Sequence, residues 1–348
     1  MTSERSYLPV NESYAYLSAN AYMQDLVGSQ AIKFGFNSGL FEFLTTPKTH
    51  DQLVESIDAD TGGLDYLLGN LIHSNVIVLE EGYYVLTDAF LPLISFEPYM
   101  VSQINFASLI TVDIAEFFPD LIESEPSYMA KAKLFELFDY SRAIEINDSN
   151  IAFTNKWVSF TTALSRHEAR VCISHHNFNN YKRIIDIGGN SGEFVAQICH
   201  VSPAISATVV DLPVVCKIGI DNIADQHLSN RVDFCSADGM QHKLPTGYDL
   251  LTFKSILHDW PEPAVKAFLV NGLKSLVKGG TILIYERASI NLTGNVHSFF
   301  LLPITLFFRS YRSPEIYHDL LTELGCVDIK IEWLKLETDF FIITAIKS

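Results

Sequence analysis

The chain has 348 residues, 48% of them hydrophobic and 19% charged, and a formal net charge of −17. That length exceeds what one hydrophobic core usually holds, so two domains are expected, and the composition excludes a disordered polymer. The negative charge excludes DNA, RNA and anionic membrane as main partners, because each would be repelled.

Five scattered cysteines (Cys172, Cys199, Cys216, Cys235, Cys326) sit in no metal-ligand or redox spacing. They read as unpaired thiols of a reducing cytosol, with no metal site. Met1 to Asn11 is polar and lacks the apolar core of a signal peptide. The longest apolar run, Phe299 to Phe308, is broken by Pro303 and Thr305 and is too short to span a bilayer. A soluble, cytoplasmic protein is expected.

In chain order, residues 12 to about 45 carry apolar residues at helical spacing, interrupted by Gly35 and Gly39 and ended by Pro47. Thr49 and Gln52 have the spacing of a capping box at the start of a second helix. A third helix is expected over Leu64 to His73, then a hairpin of Val76–Leu79 and Tyr84–Thr87 around Gly82. Three helices and a hairpin are the order of a winged helix. Its third helix would read DNA, yet Gly62 to Asn75 holds no Lys or Arg to neutralise phosphates. Residues 1–95 therefore read as a winged-helix dimerisation domain rather than a transcriptional regulator.

Residues 96–176 are helical in tendency and rich in aromatics, among them Phe135, Phe138, Tyr140, Phe153 and Trp157. Such residues either fill a helical core or line a flat apolar pocket for an aromatic or polyketide-like substrate. Which of them face inward, and which residues of Asn295 to Ser310 join them, decides the pocket.

From Arg183 the rhythm changes to alternating strands and helices. Strands are expected at Ile184–Ile187, Ala207–Val210, Val232–Phe234, Leu250–Phe253 and Thr281–Tyr285, with two more in the tail. Helices fall at Glu193–Cys199, Val214–Ala224 and Pro261–Leu276, and Lys278-Gly-Gly reads as the turn into the fifth strand. That rhythm predicts an α/β fold with a doubly wound, mainly parallel sheet over 177–348 and ligands at the strand C-terminal ends.

The first of those ends is Asp186-Ile-Gly-Gly-Asn-Ser-Gly192. A dinucleotide fingerprint starting at Gly188 would need glycines where Asn190 and Glu193 stand, and a Glu193 carboxylate would repel a pyrophosphate. A nucleoside without phosphate, such as S-adenosylmethionine, removes that conflict. About twenty residues on, Asp211 ends the second strand, placed to accept from ribose hydroxyls. After the third strand, Asp238 can accept from an adenine amino group, with Gly239 backbone or Met240 flanking the ring.

The fourth strand runs into Lys254-Ser-Ile-Leu-His258-Asp259-Trp260. With the glycine turn, Asp211-Leu-Pro and Lys278-Gly-Gly, this block resembles the plant-type small-molecule O-methyltransferases of the caffeic acid and isoflavone kind, and their bacterial relatives. The resemblance implies a seven-stranded, Rossmann-like methyltransferase domain behind a dimerising winged helix, and a homodimer. It implies S-adenosylmethionine held by Gly188, Asp211, Asp238 and Lys254, and a hydroxylated small-molecule acceptor. His258 would be the general base, Glu286 the acid that orients it and Asp259 a second candidate for that role, with Trp260 packing. Two positions depart from the pattern: Asn190 replaces a glycine, and Tyr311 stands where the family carries a second acid. A C- or N-methylating relative, or one that runs an atypical reaction with the same cofactor, is the alternative.

Overall fold

The computed structural model describes residues 5–293 and 298–348. Its helices in chain order are α1 (Leu26–Asn37), α2 (Leu40–Phe43), α3 (His50–Ser56), α4 (Thr61–His73), α5 (Glu97–Glu123), α6 (Glu125–Lys131), α7 (Lys133–Leu137), α8 (Asp148–His175), α9 (Glu193–Val201), α10 (Pro213–Asp225), α11 (Glu262–Ser275), α12 (Leu302–Thr305) and α13 (Pro314–Glu323). The strands are β1 (Ile77–Glu80), β2 (Tyr83–Leu86), β3 (Arg183–Ile187), β4 (Ser206–Asp211), β5 (Val232–Ser236), β6 (Tyr248–Lys254), β7 (Leu276–Arg287), β8 (Cys326–Lys335) and β9 (Asp339–Lys347). The chain groups into two compact units: Ala15–Leu134 with Leu292–Leu306, and the remainder.

The helical unit follows some of its local signals and departs from others: the stretch expected as helix from residue 12 to about 45 divides into a 3-10 segment, Glu12–Tyr22, and then α1 and α2. Thr49 and Gln52 close a reciprocal capping box on α3, satisfying N–H groups that the first helical turn leaves without partners. Glu81 and Gly82 both have positive φ (50° and 86°), which the tight turn between β1 and β2 requires. α4 starts at Thr61, three residues before its apolar face, because Asp60 caps it. Gly35 does not break α1. A Cβ there would lie 2.3 Å from the Phe41 ring, so the missing side chain is filled by that ring. Near its end α5 bends, with Phe117 at φ −119°, ψ 22° two residues before Pro119. Of the segment Asn295 to Ser310, residues 295–297 lie outside the described residues. Phe299, Phe300, Leu301 and Ile304 are buried within this unit.

The other unit is a seven-stranded α/β sheet in the order β5-β4-β3-β6-β7-β9-β8. β3 to β7 run parallel, while β9 pairs antiparallel with both β7 and β8. Ile184 to Ile187 are buried throughout, as a strand covered on both faces must be. β7 begins earlier than its apolar pattern suggests. Leu276 already pairs with Tyr248, and the ladder resumes at Thr281 after an irregularity around Gly279, whose φ is 78°. Lys278-Gly-Gly therefore lies within the strand as a distortion rather than before it.

The β8 edge is covered by the start of the chain. Tyr7 bridges Trp333, Leu8 N–H donates to the Trp333 carbonyl (2.8 Å), and the Arg5 guanidinium sits 4.2 Å over the Trp333 ring. Asp339 takes both Arg5 (2.5 Å) and the Tyr7 hydroxyl (2.9 Å). Pairing part of an edge strand in this way occupies hydrogen-bonding groups that it would otherwise leave free there.

Two glycine substitutions test the packing of the helical unit. Gly35→Ala should destabilise by about 1–3 kcal/mol, because the Phe41 ring has to move. Gly69→Ala, in open space on α4, should be neutral or stabilise by up to about 1 kcal/mol. Denaturant unfolding of both variants checks the contrast.

Candidate active site

The site is assembled where the strand order reverses. The chain winds from β3 outward through β4 and β5, then returns to place β6 on the other side of β3, and crevices open at such a switch. The turns after β3 and β6 pack against each other here. A Cβ on Gly188 would lie 2.6 Å from Ile256 Cγ1. With φ at 69°, Gly188 is required both by its conformation and by this contact.

Asn190 (φ 55°) adopts the left-handed conformation in place of a glycine. Its side chain spans the turn, accepting from Ser191 N–H (2.7 Å) and donating to Thr161 Oγ1 (3.0 Å). Thr162 on α8 donates to the Ser191 hydroxyl at 2.6 Å. Glu193 is buried and neutralised: Arg166 donates to it at 2.8 Å, joined by Gln197 and Gln226 at 2.8 Å and Asn222 at 3.4 Å. The repulsion of phosphate that Glu193 suggested is therefore spent on Arg166. What disfavours phosphate is the set of carboxylates at the strand ends.

Those carboxylates are Asp186, Asp211 and Asp238. Asp211 accepts from Asn190 N–H (2.8 Å) and Leu212 N–H (2.7 Å), one on each oxygen, with lone pairs left over. It keeps some accessible surface, yet burial of its carboxyl pushes the pKa up to about 6 against those two donors. Asp238 caps its own turn, accepting from Met240 N–H at 2.8 Å. A Cβ on Gly239 would lie 2.6 Å from Ile187 Cγ2, which holds this turn against the end of β3. Met240 is half-buried against the same core.

Lys254 closes β6, but its ammonium faces α8. It donates to Ser165 Oγ (2.9 Å) and pairs with the fully buried Glu168. Glu168 also takes Arg287 (2.5 Å), which in turn binds Glu337 (2.7 Å). Burial opposes the charge on Glu168, and Arg287 and Lys254 outweigh it, holding its carboxyl below the usual range. Of the nearby cations, Arg166 and Lys254 are thus each matched by a carboxylate inside the protein. The crevice presents hydrogen-bond acceptors and negative charge, which fits a nucleoside ligand that is itself cationic and lacks phosphate.

His258 lies on a short 3-10 turn, Leu257–Asp259, reached through Ser255 at φ 52°. Its Nδ1 is 2.6 Å from Glu286 Oε2. A carboxylate only accepts, so Nδ1 carries the proton and Nε2 is the nitrogen able to take another. Glu286 is fully buried at the end of β7, and its other oxygen accepts from Ile256 and Leu257 N–H at 2.8 and 2.7 Å. Asp259 Oδ1 lies 3.3 Å from His258 Nε2, and its second oxygen accepts from the Tyr140 hydroxyl at 3.3 Å. Burial disfavours the imidazolium, but Glu286 and Asp259 overcome it and raise the His258 pKa above its ordinary 6.5. The Tyr311 ring packs at 5.0 Å from the imidazole. Trp260 stacks on Tyr140 at 6.1 Å.

The structure thus gathers Gly188, Asp211, Asp238, Gly239 and Met240 around the ends of β3, β4 and β5, and His258, Asp259 and Glu286 around those of β6 and β7. Sequence reasoning passed over Glu168 on α8 and Arg287 at the end of β7, because a lone charge carries no mark of its partner. Asp186 carried a signal, as a carboxylate within an otherwise apolar strand. Among the described residues, no three His, Cys, Asp or Glu side chains are placed to hold a metal ion.

Asp186 supplies a test by stability. It is buried, accepts from Thr252 Oγ1 at 2.7 Å, and burial pushes its pKa from 3.8 to about 7. Between those values the native state holds a proton that the unfolded chain has lost, so stability falls as pH rises through that window. Asp186→Asn should be more stable than the parent at pH 8, by up to about 4 kcal/mol, with the gain vanishing below about pH 4. Urea unfolding across pH measures it.

The sequence profile of the O-methyltransferase domain family matches residues 133–326. A 3-hydroxy-5-methyl-1-naphthoate 3-O-methyltransferase of Streptomyces sahachiroi is 32% identical over 166 residues, 47% of this chain and 48% of that protein. The N,N-dimethyltransferase OxyT of Streptomyces rimosus is 28% identical over 121 residues, 35% of each chain. The matched stretch therefore spans half or less of these relatives' length. In fold, the chain is similar to human N-acetylserotonin methyltransferase, solved with S-adenosylmethionine, with a TM-score of 0.70 at 19% identity over 98% of this chain and 100% of that one. With more than half of its residues matched by the profile and the glycine turn and histidine block in place, the chain belongs to the O-methyltransferase domain family.

Proposed function

We propose that this protein is an S-adenosylmethionine-dependent O-methyltransferase acting on a hydroxyl of an aromatic or polyketide-like small molecule. The observation that carries the reading is His258: a part-buried imidazole held at Nδ1 by Glu286, with Asp259 beside Nε2, on a turn packed directly against the glycine turn. Gly188, Asp211, Asp238, Gly239 and Met240 would hold the cofactor, with Lys254 beside them. S-adenosylmethionine supplies, when bound, a methyl group already activated by a sulfonium. His258 Nε2 takes the proton of the acceptor hydroxyl as its oxygen becomes the nucleophile, and Glu286 stabilises the resulting imidazolium. Asp259, tethered by Tyr140, adds negative charge on the same side. Orientation and removal of one proton are what the protein itself contributes.

The helical segment 96–176 would supply acceptor-lining aromatics and residues 1–95 a dimerisation surface, in a cytoplasmic homodimer. The relative named for hydroxynaphthoate methylation supports an aromatic acceptor, and the one named an N,N-dimethyltransferase keeps nitrogen as the runner-up.

Incubation with labelled S-adenosylmethionine and a panel of phenols and polyketide-like hydroxyl compounds tests the reading. Label should appear on oxygen. Transfer to nitrogen or carbon on the same panel would replace it. His258→Ala should lower turnover by ~10²–10⁴-fold with cofactor affinity retained, and unchanged turnover would remove His258 as the base. Because Nε2 has to be unprotonated, turnover should rise with pH along a limb centred above 6.5, the ordinary histidine value.

A further inference from the structure

The turn that carries His258 is too short to hold its own position. Its internal bonds are long, Asp259 N–H to the Ile256 carbonyl at 3.2 Å and Trp260 N–H to the Leu257 carbonyl at 3.4 Å. It is entered through Ser255 at φ 52°, a conformation that a non-glycine residue keeps only when its surroundings enforce it. Two side chains from outside supply the enforcement. Glu286 Oε1 takes the N–H groups of Ile256 and Leu257. Arg312 takes the carbonyls at the two ends: Nη1 donates to Leu257 O at 3.0 Å and Nη2 to Trp260 O.

Arg312 is itself anchored. Its carbonyl accepts from Ser289 N–H at 3.2 Å, just beyond the end of β7 that carries Glu286. Its neighbour Tyr311 packs on the His258 ring. One short segment therefore touches the imidazole and fastens the turn beneath it.

We infer that Arg312 is a positioning residue for the transfer, fixing through the carbonyls of Leu257 and Trp260 the direction in which His258 Nε2 points. This rests on the reading of His258 as the base. A planar guanidinium serves both carbonyls with two N–H groups held in one fixed fork, whereas a lysine ammonium, a point donor on a flexible stem, reaches one at a time. Glu286 governs Nδ1 and the N–H groups at the start of the turn, and Arg312 governs the carbonyls at its two ends, so the imidazole has little freedom to rotate or slide. A base displaced by about 1 Å loses ~10²-fold in rate even when its own chemistry is intact.

The test uses Arg312→Lys and Arg312→Gln in the full chain. Imidazole ¹⁵N shifts of His258, assigned by difference with His258→Gln, report the Nδ1–Glu286 hydrogen bond without any acceptor present. Both variants should weaken that signature while S-adenosylhomocysteine affinity, by calorimetry, stays as in the parent. Turnover on any acceptor found in the panel should fall by ~10²-fold in the Gln variant and less in the Lys variant, with KM for the acceptor little changed. Parent-like ¹⁵N shifts and turnover would overturn the inference. So would a loss of cofactor affinity in step with turnover, which marks a merely structural role. If the Gln variant does not fold, the Lys variant carries the same readouts. If no compound in the panel is methylated by the parent, the functional reading fails, while the ¹⁵N shifts still decide whether Arg312 holds the turn.

Discussion

The arrangement depends on the pairing of β3 with β6. Ile184, Ile185 and Asp186 lie in parallel register with Leu250, Leu251 and Thr252, so two strands some sixty residues apart in sequence end side by side. From those ends leave the glycine turn and, after β6, the histidine turn. Nothing local to either turn would bring them together. The strand pairing does, and the Gly188–Ile256 contact fixes the spacing to a degree that a single methyl group would disturb. The crevice then lies at the carboxyl ends of the strands, where β4 and the turn after β5 deliver their carboxylates.

The site accepts an electrostatic cost to remain acidic. Asp186 and Asp211 are both pushed upward by burial, and among the described residues neither has a cation bound to it. The cations near them are absorbed elsewhere, Arg166 by Glu193 and Lys254 by Glu168. α8 is the element that does the absorbing. Over two turns it presents Thr161, Thr162, Ser165, Arg166 and Glu168 to the glycine turn, to α9 and to the ends of β6 and β7. These middle turns of α8 therefore help to build the glycine turn and the strand ends rather than serving as a passive connector, because helical spacing aligns those side chains on one face.

Much of this was legible. An unbroken Ile-Ile-Asp-Ile run between charged and glycine residues has few alternatives to a buried parallel strand, and Thr49 with Gln52 states its own cap. The acids at 211 and 238 stood out because one closes an apolar strand and the other comes soon after the next strand. Other features had no local trace. The insertion of β9 between β7 and β8 is a matter of strand order, which hydrophobic alternation does not encode. The partner of Glu193 lies 27 residues upstream in a helix whose register was unknown, so its charge looked free. Gly35 read as an interruption because the ring that fills its place belongs to another helix. The contacts of Arg312 had no trace either, because carbonyl groups, its partners, leave no mark in a sequence.

The covered edge of β8 has a consequence for how the chain folds. Tyr7 bridges Trp333 and Leu8 donates to it, so this edge closes only when segments very far apart in sequence meet. Contacts of such long sequence separation form slowly and leave strand edges open meanwhile. Until this bridge forms, that part of β8 is open to pairing with another chain.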